Sequence, residues 1–402
     1  MITNQRKLRT DGTLWQHVRA PRVPHRALTR DTSAEVLIVG AGITGAMIAD
    51  ALVEAGLDTI VVDRRRPTQG STVASTALVA YEIDMPLSEL QGKIGKRDAI
   101  RAWRRSRLAV ANLASYFAER ELEAQSRCSL YLAGNSLGVR DLKVEGDLRR
   151  AAGIDAAFLD RAALRARFGV DHAAALLATA NLTINPREVT ARLLIRAQKR
   201  GTRIYAPAEI ANLGRGGPGW VATTKEGRRI RSKHVVFASG YEFPKFVPMK
   251  GHKIRTTWAF ATRPQPRKLW PEQCLVWEAS EPYLYARTTP DGRVLCGGED
   301  EDSSEAVERE GVAERKLARL QEKLAKLFPK LDTQAEFAWA ASFGESATGL
   351  PTIGEIPRHR NCWAALGYGG NGITYSRIAA EIIRSALTGE PDADADLYGF
   401  KR

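Results

Sequence analysis

Ala34-Glu35-Val36-Leu37-Ile38-Val39-Gly40-Ala41-Gly42-Ile43-Thr44-Gly45 joins an apolar run directly to three spaced glycines. The run from Val36 to Val39 suits a strand buried on both faces. A helical pattern follows over residues 43–56 and stops on Gly56, a natural C-cap. A second apolar run, Thr59-Ile60-Val61-Val62, ends in Asp63. Strand, helix and strand within about thirty residues make a βαβ unit. Each glycine has a mechanical reason: Gly40 permits the tight turn, Gly42 lets backbone approach a pyrophosphate, and Gly45 allows close helix–strand packing. The helix N-terminus at Ile43 and Thr44 offers free N–H groups and roughly half a positive charge. Asp63, at the carboxyl end of the second strand, can accept hydrogen bonds from an adenosine ribose. The context predicts a dinucleotide site. Arg64, Arg65 and Arg66 read better as a solvated basic turn than as a clamp on a 2′-phosphate, which Asp63 would repel; Arg64 stays among the candidate cofactor contacts.

The chain has 402 residues, of which 44% are hydrophobic and 26% charged, with 34 Gly, 18 Pro and 4 Cys. That is enough apolar material for a sizeable core and for two or three domains. Bulk disorder, collagen-like repeats and a disulfide scaffold are excluded. No apolar run approaches ~20 residues, so no transmembrane helix is expected. Residues 1–30 form a basic extension without an apolar h-region, which argues against a secretory signal. Cys128, Cys274, Cys296 and Cys362 are far apart and form no CxxC pair. Reduced core thiols in a cytoplasmic protein are expected, rather than disulfides or zinc. The six histidines are scattered, and no metal site is expected. The net charge of +14 is diffuse, with mild concentrations over residues 6–30, 93–107 and 225–233. None has interleaved aromatics or matches a nucleic-acid module. A solvated basic surface is the simpler reading, and nucleic acid is not an expected partner.

Further along, residues 98–122 have helical spacing, and Ser129-Leu130-Tyr131-Leu132 looks like a strand. Asn185-Pro186-Arg187 opens a helix to Lys199, followed by the strand Thr202-Arg203-Ile204-Tyr205. Leu317, Leu320, Leu324 and Leu327 mark one face of a helix that Pro329 helps to end. The last 65 or so residues return to strand, glycine turn and helix. Helices and strands alternate at both ends and a strand-rich block interrupts them. This predicts an α/β protein: a discontinuous Rossmann-like domain carrying an inserted α+β domain on a mixed or antiparallel sheet.

A second glycine cluster, Gly367-Tyr368-Gly369-Gly370-Asn371-Gly372-Ile373-Thr374, lies between a strand and the last helix. With the first motif, it resembles the D-amino-acid oxidase and glycine/sarcosine oxidase superfamily of FAD-dependent oxidoreductases over residues 34–390. Gly70-Ser71-Thr72-Val73-Ala74-Ser75-Thr76-Ala77 sits where that family wraps the pyrophosphate and reaches the flavin ring. Ala208-Glu209-Ile210 resembles the adenine-contacting segment, and Val236-Phe237-Ala238-Ser239-Gly240 resembles the strand ending in an Ala-Thr-Gly-type turn. Gly349-Leu350-Pro351-Thr352-Ile353-Gly354 and the second glycine cluster resemble the C-terminal signature. The resemblance implies FAD as cofactor. It assigns FAD contacts to Ser71, Thr72, Ser75, Thr76, Ile210, Ser239, Gly240, Gly367, Gly369, Gly370, Asn371, Gly372, Ile373 and Thr374, besides those of the first motif. It also implies domain limits: 31–127, 181–245 and 338–402 for FAD, and 128–180 and 246–337 for substrate.

Departures from the family matter equally. Ala74-Ser75-Thr76-Ala77 replaces the Arg-Asn-Gly-Gly stretch of many relatives. Ser342-Phe343-Gly344-Glu345-Ser346 lacks the cysteine of covalently flavinylated relatives, so a non-covalent FAD is expected. No lysine stands on Arg293-Val294-Leu295-Cys296-Gly297, where some oxidases carry one; oxygen and another electron acceptor both stay open.

The resemblance implies hydride transfer from the carbon beside an amine nitrogen to flavin N5, with a small amine or amino acid as substrate and hydrolysis of the imine. Glu345, Tyr285, Arg287, Tyr368 and Glu82 are the candidate substrate residues, with Trp258, Tyr283 and Trp339 as further aromatics. Core packing competes for the aromatics, a salt bridge for Arg287 and a surface role for Glu82 and Glu345. Two alternatives are a flavoenzyme acting on an aminoalkyl group of tRNA and a non-catalytic flavin-binding protein.

Overall fold

The computed structural model describes residues 2–249, 251–303 and 311–400, and its strands sort into two sheets. The first is built on β1 (Thr32–Val39). On one side run β2 (Thr59–Val62) and β7 (Arg203–Tyr205), and on the other β10 (Arg229–Phe237) and β17 (Cys362–Leu366), all parallel. The antiparallel strand β16 (Thr352–Glu355) flanks β17, and the hairpin of β8 (Ile210–Gly216) and β9 (Gly219–Thr224) joins β10.

The second sheet runs in the order β15 (Ala335–Ser346), β11 (His252–Thr262), β14 (Val294–Glu301), β13 (Leu284–Thr288), β12 (Leu275–Glu278), β4 (Ala124–Leu132), β6 (Ala174–Ile184) and β3 (Leu78–Val79). A short strand, β5 (Ala157–Asp160), pairs with β6. Every pair is antiparallel except β12 with β4. The fold is therefore α/β, a Rossmann-like sheet interrupted by a mixed sheet with its own helices. β15 pairs along its length with β11, so residues 338–346, grouped above with the FAD segments, belong to the second sheet. Residues 1, 250, 304–310 and 401–402, which the sequence-derived domain limits include, lie outside the described residues.

The helices in chain order are α1 (Leu14–His17), α2 (Ile43–Glu54), α3 (Leu87–Ile94), α4 (Lys96–Ala118), α5 (Val139–Ala151), α6 (Arg161–Phe168), α7 (Pro186–Lys199), α8 (Val312–Leu327) and α9 (Gly372–Thr388). The alternation of side chains along β1 explains its two-sided burial. Val36 and Ile38 pack with α2, α4, α7 and α9, whereas Leu37 and Val39 pack with Ile60, Val62 and Trp220 on the opposite face. Each such side chain, fully buried, is worth about 1.5–3 kcal/mol. At α7 the Asn185 side chain accepts the Glu188 N–H at 3.2 Å, and Pro186 occupies the first turn, as the Asn-Pro pair predicts. Leu320, Leu324 and Leu327 of α8 are buried against the second sheet.

Part of the basic cluster over residues 93–107 is structural. Arg101 pairs with Asp396 at 2.8 Å, and Arg105 with Glu381 and Asp392 at 2.8 and 2.9 Å, tying α4 to the C-terminal segment.

The cysteine expectation needs correction. Cys128 and Cys274 form a disulfide, with Cα atoms 4.8 Å apart and 146 residues of separation. Pairing of β4 with β12 sets Ser129 opposite Leu275 and so brings the preceding positions together. Cys296 and Cys362 are free and buried, as expected. The disulfide removes the thiol argument for a reducing compartment. Among the described residues no helix is long and apolar enough to cross a membrane.

Candidate functional site

The parallel strands of the first sheet deliver their carboxyl ends to one open cleft of about 1930 Å³, mouth included, which continues onto the second sheet. Ligands of open α/β sheets bind at such strand ends. Gly40, with φ +123°, leaves β1 so close to β10 that a Cβ there would lie 2.3 Å from the Ala238 carbonyl oxygen. A Cβ on Gly45 would stand 1.9 Å from the Gly40 carbonyl oxygen. These two glycines bring α2 onto the turn. The Ile43 N–H donates to the Thr72 hydroxyl at 3.1 Å, which docks the 71–76 loop on the N-terminus of α2. The loop is pinned from behind: the Trp339 indole donates to the Ala74 carbonyl at 2.9 Å, and the Trp15 indole to the Ser75 carbonyl at 2.6 Å. Ser71 lines the same cleft, and its hydroxyl oxygen is buried with no hydrogen-bond partner among the described residues.

Asp63 closes the turn. One carboxylate oxygen accepts the Ala41 N–H and the other the Arg65 N–H, each at 2.8 Å. Burial pushes its pKa up, and the two N–H bonds oppose that rise. Arg65 grips Glu242 with both guanidinium nitrogens, at 2.8 and 2.9 Å, and Arg64 pairs with the same carboxylate. Burial of Glu242 disfavours its charge, but the two arginines hold it below its ordinary value. Arg64 lines the cleft, yet its guanidinium is committed to a protein partner.

The N-terminal extension crosses this end of the cleft. Lys245 donates its N–H to the Ile2 carbonyl and Asn4 donates to the Phe243 carbonyl, both at 2.9 Å. Ser342 donates to the Leu8 carbonyl and Thr10 to the Ala340 carbonyl, again at 2.9 Å. Ile2, Thr3 and Leu8 line the cleft. Nothing in the basic, polar composition of this segment signals such a role.

At the other end the N-terminus of α9 meets the irregular segment after β3. Thr374 donates to the Ala80 carbonyl at 2.8 Å, the Asn371 amide to the Glu82 carbonyl at 2.5 Å, and the Gly370 N–H to the Asp84 carboxylate at 2.7 Å. Glu82 is buried; the Ser129 hydroxyl donates to one carboxylate oxygen, and the other has no hydrogen-bond partner among the described residues. Burial pushes its pKa up. Asp84 is open to the cleft but walled in by protein. That enclosure pushes its carboxyl up to about 6; the Gly370 N–H opposes the rise, and the Glu345 and Asp300 charges add to it.

Around these acids stand Tyr241, Trp277, Tyr283, Tyr285 and Tyr368. Trp277 stacks on Tyr131 with ring centroids 3.8 Å apart, and the Tyr283 hydroxyl donates to Asp300 at 2.7 Å. Burial pushes Asp300 up to about 6 as well.

Of the candidates read from sequence, Gly40, Gly42, Ile43, Thr44, Asp63, Arg64, Ser71, Thr72, Ser75 and Thr76 all line the cleft. So do Ile210, Ser239, Gly240, Gly369, Gly370, Asn371, Gly372 and Ile373, together with Glu82, Tyr285 and Tyr368. Gly45, Gly367 and Thr374 sit behind it: Gly45 packs on the turn, a Cβ on Gly367 would meet His252, and Thr374 is buried on Ala80. Arg287 is not at the surface of the cleft. It is buried, donates to the Ile184 carbonyl at 3.1 Å and lies over the Trp15 ring; burial lowers its pKa to about 9. Glu345 lies on β15 and pairs with Arg255 at 3.2 Å, outside the lining. Trp258 and Trp339 are core side chains. Asp84, Tyr241, Glu242 and Trp277 were missed as site residues. Asp84 had a signal in its place two residues after the candidate Glu82, on the segment that follows the 70–77 loop.

Residues 35–386 match the family of FAD dependent oxidoreductases, and the chain belongs to it. A gamma-glutamylputrescine oxidoreductase of Escherichia coli (strain K12) is 24% identical over 391 residues, covering 92% of this chain and 87% of that protein. A tRNA 5-methylaminomethyl-2-thiouridine biosynthesis bifunctional protein of Burkholderia multivorans is also 24% identical, but the chain spans only 58% of its length. The crystal structure of glycine oxidase from Geobacillus kaustophilus superposes with a TM-score of 0.76 at 20% identity, covering 92% of this chain and 99% of that one. The chain is thus an FAD-dependent oxidoreductase, and the cleft fits its cofactor. The glycine cradle admits a pyrophosphate, Ser71 and Thr72 line it beside the N-terminus of α2, and Arg64 and Arg65 are already neutralised by Glu242 rather than waiting for a 2′-phosphate.

Proposed function

We propose that the protein oxidises the C–N bond of a small amine or amino acid. The observation that carries this reading is the junction of the dinucleotide cleft with an aromatic, acidic chamber at the N-terminus of α9. In this reading Gly40, Gly42, Ile43 and the 71–76 loop hold the pyrophosphate of FAD, Asp63 holds the ribose, and residues 369–373 meet the isoalloxazine edge. The bound flavin supplies a two-electron hydride acceptor.

The chain's own residues then have little acid–base chemistry to perform. The aromatic walls hold the neutral reacting nitrogen and its carbon in line and exclude bulk water. Loss of hydride from that carbon lets the nitrogen lone pair form the C=N bond. Water then adds to this bond and the product splits into a carbonyl compound and an amine or ammonia. The two electrons taken from the substrate would pass on to oxygen or another electron acceptor. The N-terminus of α9, with its positive dipole end, would favour a negatively charged edge of the cofactor held there.

The test is the visible spectrum of the purified protein before and after anaerobic addition of amine and amino-acid pools. Bleaching by one pool supports the reading, and readmitting air then separates an oxidase from a dehydrogenase. A flavin that no pool bleaches would overturn it. A second reading, action on an aminoalkyl group of tRNA, draws support from the Burkholderia relative and the net charge of +14. Tight tRNA binding that weakens steeply with salt is its signature.

A further inference from the structure

We infer that the Asp84 carboxylate, presented to the cleft by the Gly370 N–H, anchors an ammonium group of the substrate, and that the site selects cationic amines over substrates carrying a carboxylate near the reacting carbon. This inference rests on the reading above and narrows its substrate class. Among the described residues lining the cleft, only Arg64 and Arg65 are cationic, and both are bound to Glu242 at the adenosine end. Arg255, on β11, is outside the lining and already holds Glu281, Asp302 and Glu345 at 2.9, 2.7 and 3.2 Å. Arg287 is buried on the Ile184 carbonyl. A substrate carboxylate entering the chamber would find no free guanidinium or ammonium group among the described lining residues and would face Glu82 and Asp84.

A cation meets the opposite situation. Asp84 accepts the Gly370 N–H at 2.7 Å, and the carboxylate is exposed to the cleft. Two glycines make room for it. A Cβ on Gly369 would lie 2.8 Å from one Asp84 carboxylate oxygen, and a Cβ on Gly370 2.8 Å from the other. The helix end is therefore shaped around an acid that lines the chamber. Tyr241, Trp277, Tyr283 and Tyr285 add aromatic rings, which attract cations at their faces. Asp300, bound by the Tyr283 hydroxyl, adds negative charge behind that wall. An amine bearing a second, protonated nitrogen satisfies both demands: one nitrogen neutral at the reacting carbon, the other charged on Asp84.

The test uses the FAD-loaded protein and two probes that cannot be oxidised at a C–N bond in this way, tetramethylammonium and acetate, titrated by calorimetry at constant ionic strength. Tetramethylammonium is expected to bind and acetate not. Asp84→Asn, whose amide oxygen still accepts the Gly370 N–H, is expected to weaken tetramethylammonium binding about tenfold with FAD content unchanged, through loss of charge attraction alone, because this cation has no N–H to donate. Gly370→Ala keeps the charge but crowds the carboxylate, and is expected to weaken the cation in the same direction. Preference for acetate in the wild-type protein overturns the anchor, and that comparison needs no variant. Unchanged cation affinity in Asp84→Asn also overturns it. Anaerobic bleaching separates the two ideas. Amines that bleach the flavin while cation preference is absent sink the anchor alone, whereas a bound cation with no bleaching by any amine or amino acid sinks the C–N oxidation reading alone.

Discussion

The Asp63 carboxylate bridges the two sides of the nucleotide turn, taking the Ala41 N–H on one oxygen and the Arg65 N–H on the other, both at 2.8 Å. The acid therefore shapes the turn before it meets any ribose. Asp63→Ala leaves two N–H groups without their acceptor and removes the carboxylate proposed to hold the ribose. Hydrogen bonds to a charged group are worth about 1.5–3 kcal/mol each, so FAD affinity is expected to fall at least about tenfold. The ratio of visible to ultraviolet absorbance in the purified variant measures the loss; full flavin occupancy would contradict this role.

Gly45 has no left-handed backbone to protect. Its requirement is space, because a Cβ would sit 1.9 Å from the Gly40 carbonyl oxygen, which is backbone and cannot swing away. Gly45→Ala is expected to push α2 off β1, lower stability by about 1–3 kcal/mol and reduce flavin content together with it. Thermal unfolding of the apo and FAD-loaded forms checks both effects.

These two residues also show why the nucleotide half of the site was legible in sequence. The turn, the helix start and the strand end are all local, so glycine spacing and Asp63 carry the geometry within one βαβ unit. The substrate half is assembled from long-range pairings. Asp84 meets Gly370 only because α9 lies against residues 80–84, and Trp277 joins Tyr285 only through the pairing of β12 with β13. Arg287 illustrates the limit. A β-strand arginine facing a substrate and one buried under Trp15 have the same local sequence, and only the position of α1 distinguishes them. Cys128 and Cys274 fall in the same class, since the parallel pairing of β4 and β12 leaves no trace in their spacing.

That disulfide closes a loop of 146 residues across the second sheet. In the chain-entropy picture a crosslink of this span stabilises by about 4–5 kcal/mol. Cys128→Ser with Cys274→Ser is therefore expected to lower the denaturant midpoint markedly. Reductant should destabilise the wild-type protein in the same direction while leaving the double variant unmoved. Equal unfolding curves with and without reductant would show that the bond contributes nothing.

The N-terminal segment is hydrogen-bonded to residues 243–245 on one side and 340–342 on the other, with Ile2, Thr3 and Leu8 facing the cleft. In the proposed reading FAD lies in the cleft that these residues line, so the segment would stand in its exit path. Deleting residues 2–9 is expected to speed FAD release by about tenfold or more, the factor that about 1.4 kcal/mol of lost contact produces. Recovery of flavin fluorescence after dilution reports the rate; an unchanged rate would mean that the segment is not part of the exit barrier.

Asp84 sets the expected pH dependence. Glu345 of β15 and Asp300 of β14 face it with like charge, the Gly370 N–H of α9 faces it with opposite polarity, and Tyr241 stands nearby. The folded protein raises its carboxyl from the ordinary 3.8 to about 6, so the native state holds that proton more tightly than the unfolded chain does. The sign follows from linkage: stability from this group is present at low pH and is lost as pH rises from the ordinary carboxyl range through about 6. Asp84→Asn abolishes the titration while its amide oxygen keeps the Gly370 N–H bond. The variant is therefore expected to gain thermal stability over wild type at pH 7.5 and to show no such gain at pH 4. Cation binding runs the other way, because tetramethylammonium needs the ionised carboxylate. Its affinity for the wild-type protein should rise with pH across about 5–7, whereas in Asp84→Asn that dependence should shrink to whatever Asp300 and Glu82 still contribute.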